Sequence, residues 1–447
     1  MIGNKHINFN PAQVLSFGFA GLIIVGAGLL SLPLASVDGN SIGFIDALFT
    51  SASAVSVTGF VVVETATHWT LFGKIVIIIL VQIGGLGIMT MATLIALLLG
   101  KKITLKERIL LQEGLNQFSL EGVVKLTRYI IISTLSIEAI GAVLLATRFI
   151  PIYGIKKGIC FSIFHSISAF CNAGIDITGN SIVPFADDVI INLVLVILII
   201  AGGLGYSVYI DLITNKKNIK KFSLHTRFVL LFNTILFVIG FAFIFVMEYN
   251  NPKTLGNLPL VEKIIASIFQ AVSPRSAGFY SIDISGLTLP TTFLIIMMMF
   301  IGGSPGSTAG GIKTTTFGVL IITIVSVLKG KTDVEIFKKR IPHELIYRAL
   351  AVIGLAFFVV ILVTMILTLT DAESSFLDIL FKATSTFATV GLHRGAIPSL
   401  SFFEKIVFIL TMFAGRVGPL TLGFALARRQ SKTKANFRYP EGKIMIG

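Results

Sequence analysis

Uncharged apolar runs cover Val14 to Ser36, Ile75 to Gly100, Ile190 to Ile210 and Ala349 to Thr370. Each reaches the roughly 20 residues a helix needs to cross the hydrocarbon core of a bilayer, so the chain reads as an all-α integral membrane protein. Interleaved with the long runs are four shorter ones, Phe44 to Ser56, Gly158 to Phe170, Leu260 to Val272 and Phe376 to Phe387. Apolar segments of about a dozen residues are more often re-entrant than spanning. The first run ends in Leu34-Ala35-Ser36 and only Lys5 precedes it, so it is read as a helix that stays attached rather than as a signal peptide.

The short segments share a pattern. Phe49 leads to Ser53 and Gly59, Phe164 to Ser168 and Gly174, Phe269 to Ser273 and Gly278, and Phe381 to Ser385 and Gly391. Farther on, each quarter carries a second landmark: Gly84-Gly85-Leu86-Gly87, Gly202-Gly203-Leu204-Gly205, Gly302-Gly303-Ser304-Pro305 and Gly415-Arg416-Val417-Gly418. Two landmarks in register four times mark an internal repeat. The expected units are 1–100, 101–213, 214–330 and 331–428, each an outer span, a short descending helix, a glycine-bearing extended segment and an inner span, followed by a tail over 429–447. That makes eight full spans in a pseudo-fourfold, channel-like arrangement. Backbone that re-enters a membrane is tolerated only where it faces protein or a water-filled cavity, and four units around an axis supply one.

Charge orients this scheme. Of the 447 residues 54% are hydrophobic and 13% charged, and the formal net charge is +14. Lys5, Lys101 to Arg128, Lys216 to Arg227, Lys329 to Arg348 and Arg428 to Lys443 hold two thirds of the Lys and Arg, while Asp38, Asp46, Glu64, Asp187, Asp188, Glu248, Asp283, Asp371 and Glu373 fall in the alternate loops. By the positive-inside rule the basic loops and both termini are cytoplasmic, which assigns the positive charge to membrane orientation and not to nucleic acid.

The short helices are expected to point their C-terminal ends, each carrying about half a negative charge, toward the pore centre. Beyond them, Val57-Thr58-Gly59, Asn172-Ala173-Gly174, Ser276-Ala277-Gly278 and Thr389-Val390-Gly391 are the candidate ion-binding segments, able to turn carbonyl oxygens inward in place of a hydration shell. Close helix packing could also use these glycines, but four at matched positions after a Phe and Ser pair favour the filter reading. The candidate gate lies in the third and fourth units. Gly302, Gly303, Pro305, Gly306, Gly310, Gly311 and Lys313 interrupt an inner span whose flanks, Thr291 to Ile301 and Thr314 to Leu328, are each too short to cross. Arg416 replaces the glycine found at 85, 203 and 303. Both ends of its helix are about 20 Å away at 1.5 Å per residue. An arginine at that depth costs on the order of 2.5 to 3.5 kcal/mol and normally faces a cavity or a partner. It is expected to face the pore, bond the glycine-rich segment and oppose free cation flow; a carbonyl clamp between helices is the alternative.

Thr389-Val390-Gly391 resembles the start of the TVGYG filter of potassium channels, although no Tyr-Gly follows. With the fourfold repeat, the chain from about Gln13 onward resembles the Trk/Ktr/HKT superfamily of potassium transporters, most closely the Ktr membrane subunit. The resemblance implies potassium uptake across the plasma membrane and carbonyl coordination of K+ at Gly59, Gly174, Gly278 and Gly391. It also implies a gating segment beneath the filter, a membrane homodimer, and a cytoplasmic RCK-type ring that binds ATP or ADP, with Na+ as a candidate activator. In that superfamily a serine in place of the first filter glycine goes with sodium permeation, and this chain has Gly59. A sodium or other monovalent cation transporter, or a coupled secondary transporter, stays open as the alternative.

Little else carries chemistry. The six histidines are scattered and form no His-Glu-x-x-His site, and no nucleophile motif is present, so no enzyme is expected. Gly306 to Thr314 lacks the Walker A spacing, because Ile312 separates Gly311 from Lys313. Cys160 and Cys171 read as small packing residues, Glu138 as bonded within the bundle, His165 as a packed core side chain, and Arg275 and Lys382 as paired with an acid or a carbonyl.

Overall fold

A computed structural model describes residues 11–99, 103–114, 123–216, 218–371, 373–395, 400–419 and 421–422. The tail expected over 429–447 and part of the basic segment after Leu99 lie outside the described residues. The first quarter holds α1 (Pro11–Leu30), α2 (Phe44–Ser56), α3 (Thr65–His68), α4 (Leu71–Leu86) and α5 (Ile88–Leu98). The second holds α6 (Leu105–Gly114), α7 (Val123–Tyr153), α8 (Ile155–Phe170), α9 (Val189–Leu204) and α10 (Tyr206–Asn215). The third holds α11 (Leu224–Glu248), α12 (Leu260–Val272), α13 (Leu289–Phe300) and α14 (Thr314–Leu328). A small antiparallel hairpin, β1 (Glu335–Ile336) and β2 (Lys339–Arg340), precedes α15 (His343–Thr370), α16 (Phe376–Phe387) and α17 (Phe402–Val417).

Local chemistry sets several of these boundaries. Side-chain oxygens of Thr70, Asp188, Ser223, Ser375 and Ser401 accept from the first-turn N–H groups of α4, α9, α11, α16 and α17. At α17 the pairing is reciprocal, because Glu404 also accepts from the Ser401 N–H.

Among the described residues four helices, α1, α7, α11 and α15, are long and apolar enough to cross a membrane on their own. Their outward faces carry exposed Phe17, Ile24, Ile140, Val143, Val246, Met365 and Leu369, the surface that lipid accepts and water does not. The runs Ile75 to Gly100 and Ile190 to Ile210 are not single straight spans, as their hydropathy predicts. They are α4 with α5, bent by 101°, and α9 with α10, bent by 97°. The bends sit at Gly87 and Gly205, with φ +86° and +91° and extended ψ, a conformation that side chains with a Cβ rarely adopt. α17 stops in the same way at Gly418, φ +92°. The expected interruption of the third inner segment is present as the non-helical stretch from 301 to 313.

Packing closes the quarters into a ring. Each short helix packs on the long helix before it: α2 on α1, α8 on α7, α12 on α11, α16 on α15. Each also packs on the preceding quarter's inner helix: α8 on α4, α12 on α9, α16 on α13, and α2 on α17. The last contact joins the end of the chain to its beginning. The motif residues Phe49, Phe269, Phe381 and Phe164 anchor these helices in the core, and Ser53, Ser168, Ser273 and Ser385 are wholly buried beside them.

Candidate ion pathway

The segments after the short helices meet at the centre of the ring. In each, the backbone N–H of the residue before the glycine bonds the carbonyl of the motif serine: Thr58 to Ser53 at 2.8 Å, Ala173 to Ser168 at 2.8 Å, Ala277 to Ser273 at 3.0 Å and Val390 to Ser385 at 2.9 Å. The serine thus serves as the hinge from helix to extended chain. φ is positive at Val57, Asn172, Ser276 and Thr389 and again at Gly59, Gly174, Gly278 and Gly391, but not at the residues between. The third segment is one residue shorter, with Ser273 five and not six positions before its glycine, yet it reaches the same geometry.

The glycines touch in cyclic order. A Cβ at Gly59 would strike Ala173 O, one at Gly174 would lie 2.6 Å from Ala277 O, one at Gly278 would strike Val390 O, and one at Gly391 would strike Thr58 O. Four oxygens and four glycines therefore interlock in one closed ring, and a methyl group anywhere in it collides with backbone.

The second landmark has its own packing rule. A Cβ at Gly84, Gly202 or Gly415 would overlap the carbonyl oxygen of Val55, Phe170 or Phe387, which hold the same position in α2, α8 and α16. Gly302 breaks the pattern and lies against Gly310 O within its own segment. That segment folds on itself through the Ile301 to Ile312 bridge and the bond from Thr314 N to Gly303 O at 3.0 Å. Lys313 Nζ donates to Ala309 O at 2.6 Å. A Cβ at Gly303 would lie 2.5 Å from that of Ala309, one at Gly310 would overlap Thr389 Oγ1, and one at Gly311 (φ +65°) would sit 3.3 Å from Ala388 Cα.

Broken helices leave carbonyls without the donor four residues on, and in an apolar setting each must find another. At the α9 to α10 bend, Gly203 O accepts from Ser304 N at 3.0 Å, Gly202 O from Thr308 N at 3.2 Å, and Ala201 O from the Tyr209 hydroxyl. In return Tyr206 N donates to Gly306 O at 2.9 Å, beside Pro305, whose oxygen lies against Gly205. At the α4 to α5 bend, Gly84 O and Gly85 O accept from Arg416 Nη2, the latter at 3.0 Å. Arg416 Nη1 donates to Thr308 O of the glycine-rich segment. The arginine thus joins that segment to the first quarter's broken helix, and the clamp and the contact with the segment are one arrangement.

The other singled-out residues lie around this centre. Glu138 accepts from Gln82 Nε2 at 3.2 Å, and the buried Cys171 thiol lies against Gln82 and Gly85. His165 is enclosed by Phe149, Phe161, Phe164 and Phe279. Arg275 donates to Asn233 Oδ1, and Asn233 in turn donates to Ser304 Oγ at 3.1 Å. Lys382 Nζ pairs with Asp371 at 3.1 Å in the loop before α16. Burial alone would raise the Asp371 carboxyl, but bonds from Ser374 and Lys382 hold it below its ordinary value. Asn233, Gln82 and Thr308 were not singled out by the sequence. The first two carry the signal of an amide inside an apolar run, whereas Thr308, among glycines, carries none. On the far side of the ring from the glycine-rich segment, Tyr280, Asp283, Ser285 and His393 line a cavity of about 360 Å³.

Residues 23–436 match the family described as TrkH, cation transport protein. The Ktr system potassium uptake protein B of Bacillus subtilis (strain 168) is 44% identical over 443 residues, 99% of this chain and 98% of that protein. The potassium/sodium uptake protein NtpJ of Enterococcus hirae is 41% identical over 441 residues, 98% of this chain and 97% of that protein. The crystal structure of the potassium transporter TrkH from Vibrio parahaemolyticus shares the fold, with a TM-score of 0.73 at 19% identity over 95% of this chain and 86% of that one.

Proposed function

The chain belongs to the TrkH family of cation transport proteins, and on that premise we propose that it takes up potassium across the plasma membrane through the ring of backbone oxygens at its centre. The interlocking of Gly59, Gly174, Gly278 and Gly391 with the carbonyls of Ala173, Ala277, Val390 and Thr58 is the observation that carries this reading. Alternation of positive and negative φ turns successive carbonyls of each segment to one side, and four segments then offer layered oxygen cages in place of water. The units 1–100, 101–213, 214–330 and 331–428 act as four sectors around this filter, each contributing one segment. Val57, Thr58, Asn172, Ala173, Ser276, Ala277, Thr389 and Val390 complete the ion-binding set.

Beneath the filter, the segment from Gly302 to Lys313 is the gate, and Arg416 is its fixed positive charge. The bond from Arg416 to Thr308 O supports this assignment, as does the absence of any ion pair to Arg416 among the described residues. An uncompensated guanidinium below the filter repels cations electrostatically while bonding the segment that obstructs them. Control by a cytoplasmic nucleotide-binding ring, Na+ activation and assembly as a homodimer are proposed on likeness to the Ktr membrane subunits.

The test is rubidium and potassium uptake in a bacterium lacking its own potassium transporters, with and without a co-expressed ring subunit and with and without sodium. Restored growth on low potassium is expected. Correct membrane insertion with no uptake under any of these conditions overturns the reading, and uptake of sodium in preference to rubidium replaces potassium with sodium as the substrate.

A further inference from the structure

The glycine-rich segment is bonded to the filter segments themselves as well as to the helices around them. The Asn172 side-chain amide meets Thr308 Oγ1 at 2.8 Å. Gly310 N–H donates to Ser276 Oγ at 3.0 Å, and the same hydroxyl donates to Thr389 O at 2.9 Å. Asn172, Thr308, Ser276 and Thr389 are all wholly buried. Asn172, Ser276 and Thr389 hold equivalent places in three quarters, two residues before the glycine, each with positive φ. In the first quarter, the equivalent Val57 has no side-chain donor or acceptor, and there Arg416 spans from Thr308 O to Gly84 O and Gly85 O.

Thr308 is the point where these links converge. Its hydroxyl meets Asn172 and also lies 3.1 Å from Phe170 O at the end of α8, its N–H bonds Gly202 O, and its carbonyl takes Arg416. Positive φ at a residue other than glycine persists only where its surroundings hold it. Moving the segment strips a hydrogen-bond partner from two of the side chains in that conformation, so the filter backbone cannot stay indifferent to the move.

We infer that Thr308 and Ser276 are positioning residues that latch the gate segment to the filter, so that displacing the segment alters which monovalent cations the filter prefers as well as how fast they pass. The inference rests on the pore and gate reading above. Rate control alone needs only that the segment obstruct the path; a latch makes discrimination depend on the state of the gate.

The experiment uses the full-length protein in potassium-loaded liposomes and measures radioactive rubidium and sodium uptake side by side. Thr308→Val keeps the branched shape and removes the hydroxyl. It is expected to raise resting rubidium flux and to shift the sodium-to-rubidium ratio by about threefold to tenfold, the range of one buried hydrogen bond. Thr308→Ser, which keeps the hydroxyl, restores the wild-type ratio. Ser276→Ala, which severs the second link, shifts the ratio in the same direction and serves if Thr308→Val does not insert. Arg416→Ala separates the two levels of the argument. If it raises flux while Thr308→Val and Ser276→Ala leave the ratio unchanged, the gate stands and the latch falls. If Thr308→Val and Thr308→Ser shift the ratio equally, the hydroxyl is not the link and the latch also falls. If the wild-type protein moves neither ion, with or without the ring subunit and sodium, both readings fall together.

Discussion

Arg416 shows how far a single residue can be read. Its depth in an apolar stretch, and its place where three other quarters have glycine, were legible in the sequence. Its bond to the glycine-rich segment was expected and is present at Thr308 O, but its partners in α4 were not legible, because Gly84 O and Gly85 O become acceptors only once α4 bends. Thr308 was illegible altogether: a lone threonine in a glycine-rich stretch has no periodicity, and its role follows from contacts distant in the chain. Arg416→Ala removes a guanidinium and frees three carbonyls. Those carbonyls border the proposed aqueous path, where water replaces a lost donor at a cost of about 0–2 kcal/mol, so the fold is expected to survive. Resting rubidium flux into liposomes is expected to rise severalfold, with the thermal unfolding midpoint in detergent little changed. Arg416→Lys tells charge from bridging. A lysine keeps the charge on a compact head that cannot span the same carbonyls, so flux between wild type and Arg416→Ala is expected. A Lys variant equal to wild type would mean that charge alone controls entry, and unchanged flux in the Ala variant would remove Arg416 from the gate.

At the scale of elements, hydropathy located the helices well and their bends poorly. α2, α12 and α16 occupy the stretches that the short apolar runs predict. The inner runs read as continuous because Gly87 and Gly205 stand in an unbroken apolar sequence, and nothing in composition reveals a φ near +90°. Breaks are therefore not confined to the third quarter; what sets that quarter apart is a longer non-helical segment that supplies donors to the second quarter's broken helix. This makes glycines unequal in a measurable way. At Gly205 a side chain meets both a positive φ and Pro305 O, 2.5 Å from the added Cβ. Strained backbone of this kind costs on the order of 1–3 kcal/mol before the collision is counted. Gly354, inside α15, has nothing within 4 Å of the same position. There alanine gains about 1 kcal/mol of helix propensity. Thermal unfolding of the two single variants should separate them in opposite directions, Gly205→Ala lower and Gly354→Ala equal to or above wild type. Equal midpoints would show that the bend at Gly205 does not hold the segment around Pro305.

At the scale of the molecule, two sequence landmarks recur in register four times, and charge alternation implied a direction across the membrane. The order of contact around the ring was not visible. That order follows from which carbonyl each glycine meets, and the closing contact joins Gly391 to Thr58 and α17 to α2, residues at opposite ends of the chain. An arrangement closed in this way fixes the side of the membrane for every loop once one loop is fixed, so orientation can be tested at two positions. Asn257, exposed between α11 and α12, lies at the end of the third quarter that carries Glu248 and Glu262, and Lys339, exposed in the small hairpin, lies in a basic loop. In a Cys160→Ser background, with Cys171 buried, Asn257→Cys is expected to react with a membrane-impermeant maleimide in intact cells. Lys339→Cys is expected to react only after permeabilisation. The pair is informative because the rule reads charge alone, whereas the ring requires the two loops to lie on opposite faces whichever way the protein inserts. Reversed labelling would invert the orientation and put the glycine-rich segment on the outer side of the filter. Labelling of both from outside would break the four-sector arrangement itself, since α13, the glycine-rich segment and α14 could not then cross the membrane together.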